Sequence, residues 1–469
     1  MDRSELRFPE GFLWGVSTSA HQVEGGNENN NWSDWERAGR IRTGERAGLA
    51  CDWWSNAERD FDLAREMGLN ALRLSVEWSR IEPEEGRFDE TALLRYRGMM
   101  QALRERGIRP FVCLHHFTNP RWFEAKGAFL SDDAVACFER FTDRVAQALG
   151  DVCSDWLTFN EPNVYGAFGY MLGEFPPGKA GDFISYFRAV HTLLRAHAAA
   201  YRVLHRRSSS ANVGFTVNVQ RFAPERPRHP GDRLLTRVLE RSFNAIFLRG
   251  LTPAPGDRSR RRRRTAGDAV GTYDFVGFNH YGWMNVRFEP RHAKFGFIDL
   301  KTPRGMREGD PGIESGYGGF DPHGLAVIAE ELAPMGKPIL VMEHGIPDRE
   351  DRLRPWLLAG AAAALHEAVR KGVDVRGYFH WTLVDNFEWA QGWRLRFGLV
   401  ELDPVTQVRR PRRSAGLYSA VARANALRRE DLRLHAPETL EEWFPETPRP
   451  TTDEASFAPG GVRAPIAES

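Results

Sequence analysis

The chain has 469 residues, 42% of them hydrophobic, and its 64 Lys and Arg residues balance 63 Asp and Glu residues to a formal net charge of +1. This length allows one large α/β barrel or two to three ordinary domains, with enough apolar content for a sizeable core. So close a balance of charges excludes a protein-wide electrostatic field that would attract nucleic acid or a membrane surface. It favours a neutral small molecule as the partner.

The N-terminal ten residues are charged and lack the apolar stretch of a signal peptide. No run in the sequence approaches the roughly 18 apolar residues of a membrane span, so we expect a soluble cytoplasmic protein. The cysteines stand far apart with no C-x-x-C pair, which predicts reduced thiols and neither a zinc site nor a disulfide framework. They are Cys51, Cys113, Cys137 and Cys153.

Short apolar runs alternate with longer amphipathic stretches along the chain, and eight of the runs are candidate strands. They cover residues 12–17, 71–78, 110–117, 156–161, 213–219, 275–281, 338–343 and 375–382. Eight βα units in order favour a closed parallel barrel over an open sheet. The sequence therefore predicts a single-domain α/β fold, a (β/α)8 TIM barrel with elaborated βα loops.

Helices are predicted between the strands, where apolar residues recur every three to four positions. Asp89 and Ser131 are candidate N-caps, and glycines at positions 68, 107 and 150 stand where helices should stop. The apolar positions are Trp54, Ala57, Phe61 and Ala64 in one helix and Val135, Phe138, Phe141, Val145 and Leu149 in another.

The remaining length falls in loops and a tail. The longest loops cover residues 24–52, 162–181 and 282–337, and loops after strands build the active site of such a barrel. Five consecutive arginines, residues 260–264, are interpreted as a solvated surface loop. Residues 1–436 are predicted to form the catalytic domain, and 437–469, proline-rich and acidic, an irregular C-terminal tail.

Two apolar runs each end on a glutamate and then break: Thr158-Phe159-Asn160-Glu161-Pro162 and Val341-Met342-Glu343-His344-Gly345. A carboxylate at the end of a buried strand is costly to leave unpaired, so two such positions indicate one shared polar site. Paired carboxylates are the groups that split a glycosidic bond.

Other polar or aromatic side chains stand at the ends of the predicted strands. Any one of them could be a structural residue that satisfies backbone groups. The whole set, however, would converge on one pocket, where this fold places catalysis. The set is Arg73, Glu77, His115, His116, Asn160, Glu161, Asn218, Asn279, Tyr281, Glu343 and Trp381.

Four groups of residues occur in order along the chain: Phe12-Leu13-Trp14-Gly15 with His21-Gln22-Val23-Glu24-Gly25; Thr158-Phe159-Asn160-Glu161-Pro162-Asn163; Glu343-His344-Gly345; and Asp385-Asn386-Phe387-Glu388-Trp389-Ala390 with Arg396-Phe397-Gly398. They resemble the signatures of glycoside hydrolase family 1, the β-glucosidase and β-galactosidase family. The resemblance runs through nearly the whole chain. It implies a (β/α)8 barrel and hydrolysis with retention of anomeric configuration, in agreement with the strand count, and no cofactor or metal.

The resemblance also implies site residues. Glu161 matches the acid/base and Glu343 the nucleophile, with Arg73 and Tyr281 as the residues that hold the nucleophile. For this chemistry Glu161 must start protonated and Glu343 ionised, which requires different environments. The matches to the family's sugar-binding set are Gln22, His116, Asn160, Glu388 and Trp389, with Trp381 as the floor under the ring and Trp122 and Phe397 as walls.

Near the last motif this sequence has Glu388, Leu395 and Phe397, where the branch of the family that acts on 6-phosphorylated glycosides has serine, lysine and tyrosine. An unphosphorylated β-glycoside or oligosaccharide is therefore the expected substrate. The sequence departs from the family pattern at Met342, at His344 and at Phe117-Thr118-Asn119-Pro120. Those departures bear on aglycone preference, and His344 is expected to titrate near neutral pH.

Three functions remain open on the sequence. The first is a hydrolytic exo-β-glycosidase that is broad toward β-glucosides, β-galactosides and β-fucosides. The second is a transglycosylase of the same retaining chemistry, and the third is a catalytically inactive carbohydrate-binding protein. Such inactive relatives typically lose a carboxylate, whereas this chain keeps both. The sequence fixes neither the glycone nor the oligomeric state.

Overall fold

Eight parallel strands close into a barrel in the computed structural model, which describes residues 4–252, 269–310 and 317–445, without the side chains of 293–295. The predicted TIM barrel is confirmed. We number the barrel strands in chain order: Leu13–Ser17 (β1), Ala71–Ser75 (β2), Arg109–His115 (β3), Asp155–Asn160 (β4), Asn212–Asn218 (β5), Val276–Asn279 (β6), Ile339–His344 (β7) and Val375–His380 (β8).

Each barrel strand pairs with its neighbours in the sequence, and β8 pairs with β1 to close the ring. The second strand is shorter than predicted. It ends at Ser75, because Glu77 caps a short helix, Trp78–Ile81, that turns the chain away from the barrel. Glu77, predicted among the converging strand-end residues, is therefore a structural group that accepts hydrogen bonds from Ser79 and Thr118.

Helices surround the barrel between the strands, as the apolar periodicity predicts. The long ones are Trp53–Glu66, Glu90–Glu105, Ala134–Leu149, Phe183–Arg207, Pro230–Leu239, Gly324–Leu332, Arg354–Arg370 and Arg413–Ala424. The shorter α-helices are Ala20–Val23, Asn31–Arg37, Trp78–Ile81, Arg121–Ala125, Pro162–Gly166, Ala245–Leu251, Arg429–His435 and Leu440–Trp443. Ala167–Met171 and Glu240–Asn244 are π-helical, and 3-10 turns cover Ala128–Leu130, Pro290–Phe295, Ala333–Met335, Trp389–Gln391 and Pro437–Thr439.

The predicted N-cap Asp89 is confirmed, since its carboxylate accepts the backbone N–H groups of Thr91 and Ala92. The prediction for Ser131 is wrong. The helix begins two residues later than expected and has Asp133 as its N-cap, while the Ser131 hydroxyl donates to the Asp133 carboxylate at 2.5 Å.

Apolar side chains fill the barrel interior, so the barrel is a packed core and not a pore. They include Phe111, Phe275 and Phe379, with Leu340 and Met342 from β7. Gly15 and Gly214 make room for these rings, because a Cβ at either position would lie 2.5 to 2.6 Å from an atom of Phe379 or Phe275. The polar residues at the strand ends are thereby confined to the layer above this core.

The long loops carry secondary structure of their own. The loop after β1 contains the helix Asn31–Arg37, and the segment after β4 continues as helix over Pro162–Gly166 and Ala167–Met171. Three strands, Arg221–Pro224, Trp283–Phe288 and Ile298–Lys301, form a separate small sheet from the segments after β5 and β6. These elements build up the walls above the barrel.

A further two-stranded sheet forms where Glu5–Arg7 pairs antiparallel with Ala426–Arg428. Two more short strands, Val400–Leu402 and Arg409–Pro411, form a hairpin. The structure differs from the predicted irregular tail over residues 437–443, which are helical. They are held there because Phe444 is buried and the Trp356 indole donates to Glu442 at 2.8 Å.

All four cysteines are buried and free. Within the described ranges, no helix has both the length and the apolar character to cross a membrane. The five arginines at 260–264 and the end of the predicted tail, residues 446–469, lie outside the described residues.

Candidate active site

A cavity of about 580 Å³ opens at the C-terminal ends of the barrel strands. Glu161, after β4, and Glu343, in β7, both line it. His116, Asn218, Tyr281 and Trp381 line it as well, so the ends of six strands contribute. The sequence prediction that strand-end residues converge is therefore confirmed for this set.

Glu343 reaches the cavity because β7 is irregular at its end. Its register shifts after Val341 against both neighbouring strands. Met342 is then part of the barrel core, while the next side chain, Glu343, lines the cavity. Irregular strand ends of this kind commonly re-aim side chains beside active sites.

Two donors hold the Glu343 carboxylate. The fully buried Arg73 guanidinium donates to Oε1, and the Tyr281 hydroxyl donates to Oε2 at 2.6 Å. A charge-assisted bond and a phenol on separate oxygens fix the orientation of the carboxylate and pair its charge in a site that water barely reaches.

Glu161 sits on a left-handed backbone, φ 47° and ψ 60°, where β4 ends and the helix Pro162–Gly166 begins. The side-chain amides of Asn279 and Asn218 both donate to its Oε1, at 2.7 and 2.9 Å. Because Oε1 accepts two N–H groups, Oε2 is the oxygen left to carry a proton. The backbone conformation is a costly one for a glutamate, and such strain concentrates at functional sites.

Burial, followed by the negative charge of Glu343, raises the pKa of Glu161 to about 8. The two amides and Arg73 act in the opposite direction and are outweighed. At neutral pH the Glu161 carboxyl is therefore protonated, while Glu343 is paired with the Arg73 guanidinium. The roles of acid and nucleophile require two carboxyl groups in different protonation states.

Asn160 links His116 to Arg73 and Asn279, the residues that contact the two carboxyl groups. Its Oδ1 accepts from Arg73 at 2.8 Å and from Asn279 at 3.2 Å, so its Nδ2 faces His116 Nε2 at 3.0 Å. Nε2 is then the acceptor, which assigns the ring proton to Nδ1. Burial also lowers the pKa of His116 well below its usual value, so the ring stays neutral.

Glu388 is a third buried carboxyl of the cavity. Tyr317 donates to Oε1 at 2.9 Å and Gln22 to Oε2 at 3.3 Å. Burial and then the charge of Glu343 raise its pKa to about 7, against the hydrogen bond from Tyr317. The amide of Gln22, predicted to contact the sugar, also donates to the Phe387 carbonyl at 2.8 Å.

Aromatic side chains form the walls, and two predictions about them differ from the structure. Trp381 and Trp389 line the cavity, and Trp389 stacks on His116 with 5.7 Å between ring centroids. Phe397 lies behind the wall and packs against Tyr281 and Tyr317. Trp122 is outside the cavity, because the helix Arg121–Ala125 carries it away to donate to the Glu82 carbonyl.

Phe117, directly after His116, lines the cavity. Its φ of 69° is again left-handed. The residue that forms this part of the wall is thus adjacent to His116, and Trp122, six positions after His116, does not contribute to it.

A family model described as glycosyl hydrolase family 1 matches residues 4–427. The chain belongs to this family. It is 30% identical to β-glucosidase A of Thermotoga maritima, over 90% of this chain and 99% of that protein, and 30% identical to a β-galactosidase of Sulfolobus acidocaldarius, over 91% and 97%. The solved β-glycosidase of Pyrococcus horikoshii superposes with a TM-score of 0.81 at 35% identity, covering 93% of this chain and 100% of that one.

This family 1 glycosidase departs from the family pattern beside Glu343, and the structure shows what those neighbours do. Met342 is part of the barrel core and does not face the cavity. His344 is fully buried, with its Nδ1 3.1 Å from the Tyr378 hydroxyl, and burial lowers its pKa well below the usual value. The prediction that His344 titrates near neutral pH is therefore wrong.

One group of side chains in the described residues has metal-ligand spacing: Glu85, Asp133 and Cys137. The Lys126 ammonium already contacts both of its carboxylates, Glu85 at 2.9 Å and Asp133. This group lies apart from the cavity and has its own cation, so it adds nothing to the chemistry of the glycosidase.

Sequence reasoning missed Tyr317 and Phe117 and gave Asn279 no role. Tyr317 lies in a long loop without periodicity, so nothing in the sequence marks it. Phe117 had a usable signal, since it is the first residue beyond the histidine pair at the end of β3. Asn279 ends β6 as predicted, but its hydrogen bond to Glu161 depends on the spacing between β4 and β6, which no local pattern contains.

Proposed function

We propose that this family 1 glycosidase is a retaining exo-β-glycosidase that hydrolyses unphosphorylated β-glucosides, β-galactosides and β-fucosides. The observation that carries the proposal is the pairing of a neutral Glu161 with an arginine-held Glu343 in one cavity. The relatives named β-glucosidase and β-galactosidase support the range of glycones.

In the first step, a Glu343 oxygen attacks the anomeric carbon while Glu161 donates its proton to the glycosidic oxygen. The bond to the aglycone breaks, the aglycone leaves as an alcohol, and Glu343 becomes an ester. Arg73 and Tyr281 hold the attacking carboxylate in place, which reduces the cost of orienting it.

In the second step, Glu161 takes a proton from water, which attacks the anomeric carbon and releases Glu343. This reversal of role follows from the causes of the Glu161 pKa. Once Glu343 is an ester, its negative charge is gone, so the pKa of Glu161 falls and the carboxylate can act as a base. Two displacements return the sugar with its original configuration.

The sugar is proposed to bind over Trp381, between Trp389 and the buried polar groups. His116 Nδ1 is a buried donor without a hydrogen-bond partner among the described residues, and a sugar hydroxyl would satisfy it. Glu388 offers carboxylate oxygens to neighbouring hydroxyls. A second carboxylate, Glu343, lies close enough to raise the Glu388 pKa, so this end of the cavity repels a phosphate.

A panel of nitrophenyl glycosides tests the proposal. We expect turnover of the β-glucoside, β-galactoside and β-fucoside. At a pH above the Glu388 pKa, kcat/KM for the 6-phosphoglucoside should be lower by at least about 100-fold, because like charges then meet at the Glu388 carboxylate. NMR during the reaction should show the β-anomer first, and methanol as competing acceptor measures transfer against hydrolysis. An α-anomer as first product, or a 6-phospho substrate as the best one, contradicts the proposal.

The pH profile should depend on the amides that face Glu161. Because the first step needs the protonated acid, we expect kcat/KM to fall above about pH 8. An N–H donor stabilises the ionised carboxylate, so Asn218→Ala should raise the pKa of Glu161 and move this limb to higher pH by roughly 0.5–1 unit. Steady-state kinetics from pH 5 to about 10 measures the shift.

Asn212→Ala is the matched control. It removes the same side chain from the other end of β5, where Asn212 donates to the Asp155 carboxylate at 2.8 Å, far from the cavity. The limb should stay in place in this variant. A limb that moves to lower pH in Asn218→Ala, or that moves equally in both variants, counts against Glu161 as the acid.

A further inference from the structure

One stretch of the cavity lining is made of side chains that cannot form hydrogen bonds. We call it the apolar wall and define it by Met171, Phe183, Phe222, Leu239, Phe243 and Leu300. The hydrogen-bonding residues that line the cavity from the same segments include Glu174, Tyr186, Gln220, Ser242, Lys301 and Thr302. Site residues described so far, by contrast, are charged, amide-bearing or aromatic with polar partners.

The apolar wall stands on the side of the acid. Its residues come from the segments that follow β4, β5 and β6. Glu161 directly follows β4, and the other two strands end with Asn218 and Asn279. The proposed sugar-binding residues come instead from the segments after β3 and β8. Since Glu161 protonates the leaving oxygen, the leaving group must lie on its side, against the apolar wall.

A second sugar ring would bind poorly against the apolar wall. Its hydroxyls would lose water against phenylalanine, leucine and methionine side chains, and an unsatisfied buried hydroxyl is costly. A hydrocarbon chain at the same place loses nothing and removes apolar surface from water on both sides.

The apolar surface continues to the mouth of the cavity. Phe183 is 39% exposed and Leu300 is 42% exposed although both line the cavity. Leu172, also in the lining, is 39% exposed. Large apolar side chains left in contact with solvent around a binding site indicate a ligand that covers them.

We propose that the preferred substrate is a β-glycoside whose aglycone is an extended hydrocarbon chain, with the sugar over Trp381 and the chain along the apolar wall. The proposal rests on the proposed function, because the position of the aglycone follows from Glu161 as the acid. It goes further in naming the leaving group as an alkyl alcohol rather than a second sugar.

A homologous series tests it on the unmodified enzyme: methyl, butyl, hexyl and octyl β-glucoside at monomeric concentrations, with cellobiose as the competing class. We expect kcat/KM to rise about two- to fourfold with each added methylene until the wall is covered, fourfold being the limit for full burial. Octyl glucoside should exceed cellobiose by at least about 10-fold. A flat series, or cellobiose as the better substrate, overturns the proposal.

Variants of the apolar wall test whether the alkyl chain binds along it. The double change Phe183→Ser with Leu300→Ser should lower kcat/KM for octyl glucoside about 10-fold, mostly through KM, because it removes binding shared by ground and transition states. Methyl glucoside, too short to reach the wall, should change less than about twofold. Phe187→Ser is the matched control, since Phe187 is a phenylalanine of the same helix, 50% exposed and not in the lining.

The two proposals fail separately. If nitrophenyl β-glucoside is not hydrolysed at all, the proposed function is wrong. If it is hydrolysed and the alkyl series is flat, only the apolar aglycone is wrong. Equal losses in the double variant and in Phe187→Ser also overturn it, and Leu300→Ser alone serves if the double variant does not fold.

Discussion

Replacing Glu343 with glycine is expected to lower hydrolysis of an aryl glycoside by at least about 10⁵-fold, the scale of losses when a nucleophile is removed. The variant keeps Glu161 and the sugar-binding residues, so substrate should still bind, but no group remains to attack the anomeric carbon from the opposite face. Added azide or formate should restore turnover with inverted product. A 2-fluoroglycoside should label the unmodified enzyme at Glu343, as seen by mass spectrometry.

The same variant has a stability effect that checks the geometry. Glu343→Gly leaves the fully buried Arg73 without its carboxylate, and breaking a buried pair typically costs about 3–5 kcal/mol. Formate should therefore raise the melting temperature of Glu343→Gly while leaving that of the unmodified enzyme nearly unchanged. Normal hydrolysis by the variant, or a label on another residue, would refute Glu343 as the nucleophile.

Glu161→Ala is expected to slow the hydrolysis of substrates with poor leaving groups much more than that of substrates with good leaving groups. A 2,4-dinitrophenolate departs without a proton, so formation of the glycosyl enzyme from a dinitrophenyl glycoside should be nearly preserved. Cellobiose needs protonation of its leaving oxygen, and its hydrolysis should fall about 10²- to 10⁴-fold or more. Stopped-flow measurement of the first step distinguishes the two.

In Glu161→Ala the second step, hydrolysis of the glycosyl enzyme, should also be slow, because the same residue acts as the base. The intermediate should accumulate, and azide should release it as a β-glycosyl azide. The high-pH limb of the profile should disappear with the group that causes it. Equal losses in the first step on activated and unactivated substrates would show a positional or folding defect at the end of β4 instead.

The barrel and the positions of Glu161 and Glu343 were predictable because both depend on local pattern. A buried strand is a short apolar run, and a carboxylate directly after it lies at the strand end wherever the strands are placed. The shift at the end of β7 did not upset the prediction, since Glu343 reaches the cavity through it. Caps follow the same logic, and Asp89 behaves as its sequence context predicts.

Predictions failed where the backbone leaves ordinary conformations or where contacts are distant in sequence. Phe117 takes a left-handed turn that no residue-type preference indicates, and the family resemblance implied Trp122 for the wall instead. Burial, followed by the nearby His280 and His380, lowers the pKa of His344, so the usual pKa of a histidine was a poor guide. Tyr317 contacts Glu388 from 71 residues away.

Arg73, buried between Glu343 and Asn160, has a consequence for how charge moves during turnover. When Glu343 loses its negative charge to the ester, Glu161 gains one by giving up its proton, so the total charge around the guanidinium does not change. The cavity then needs no counterion from solvent at any step, because the negative charge moves within it and its total does not change. Ionic strength should accordingly have little influence on kcat for neutral glycosides.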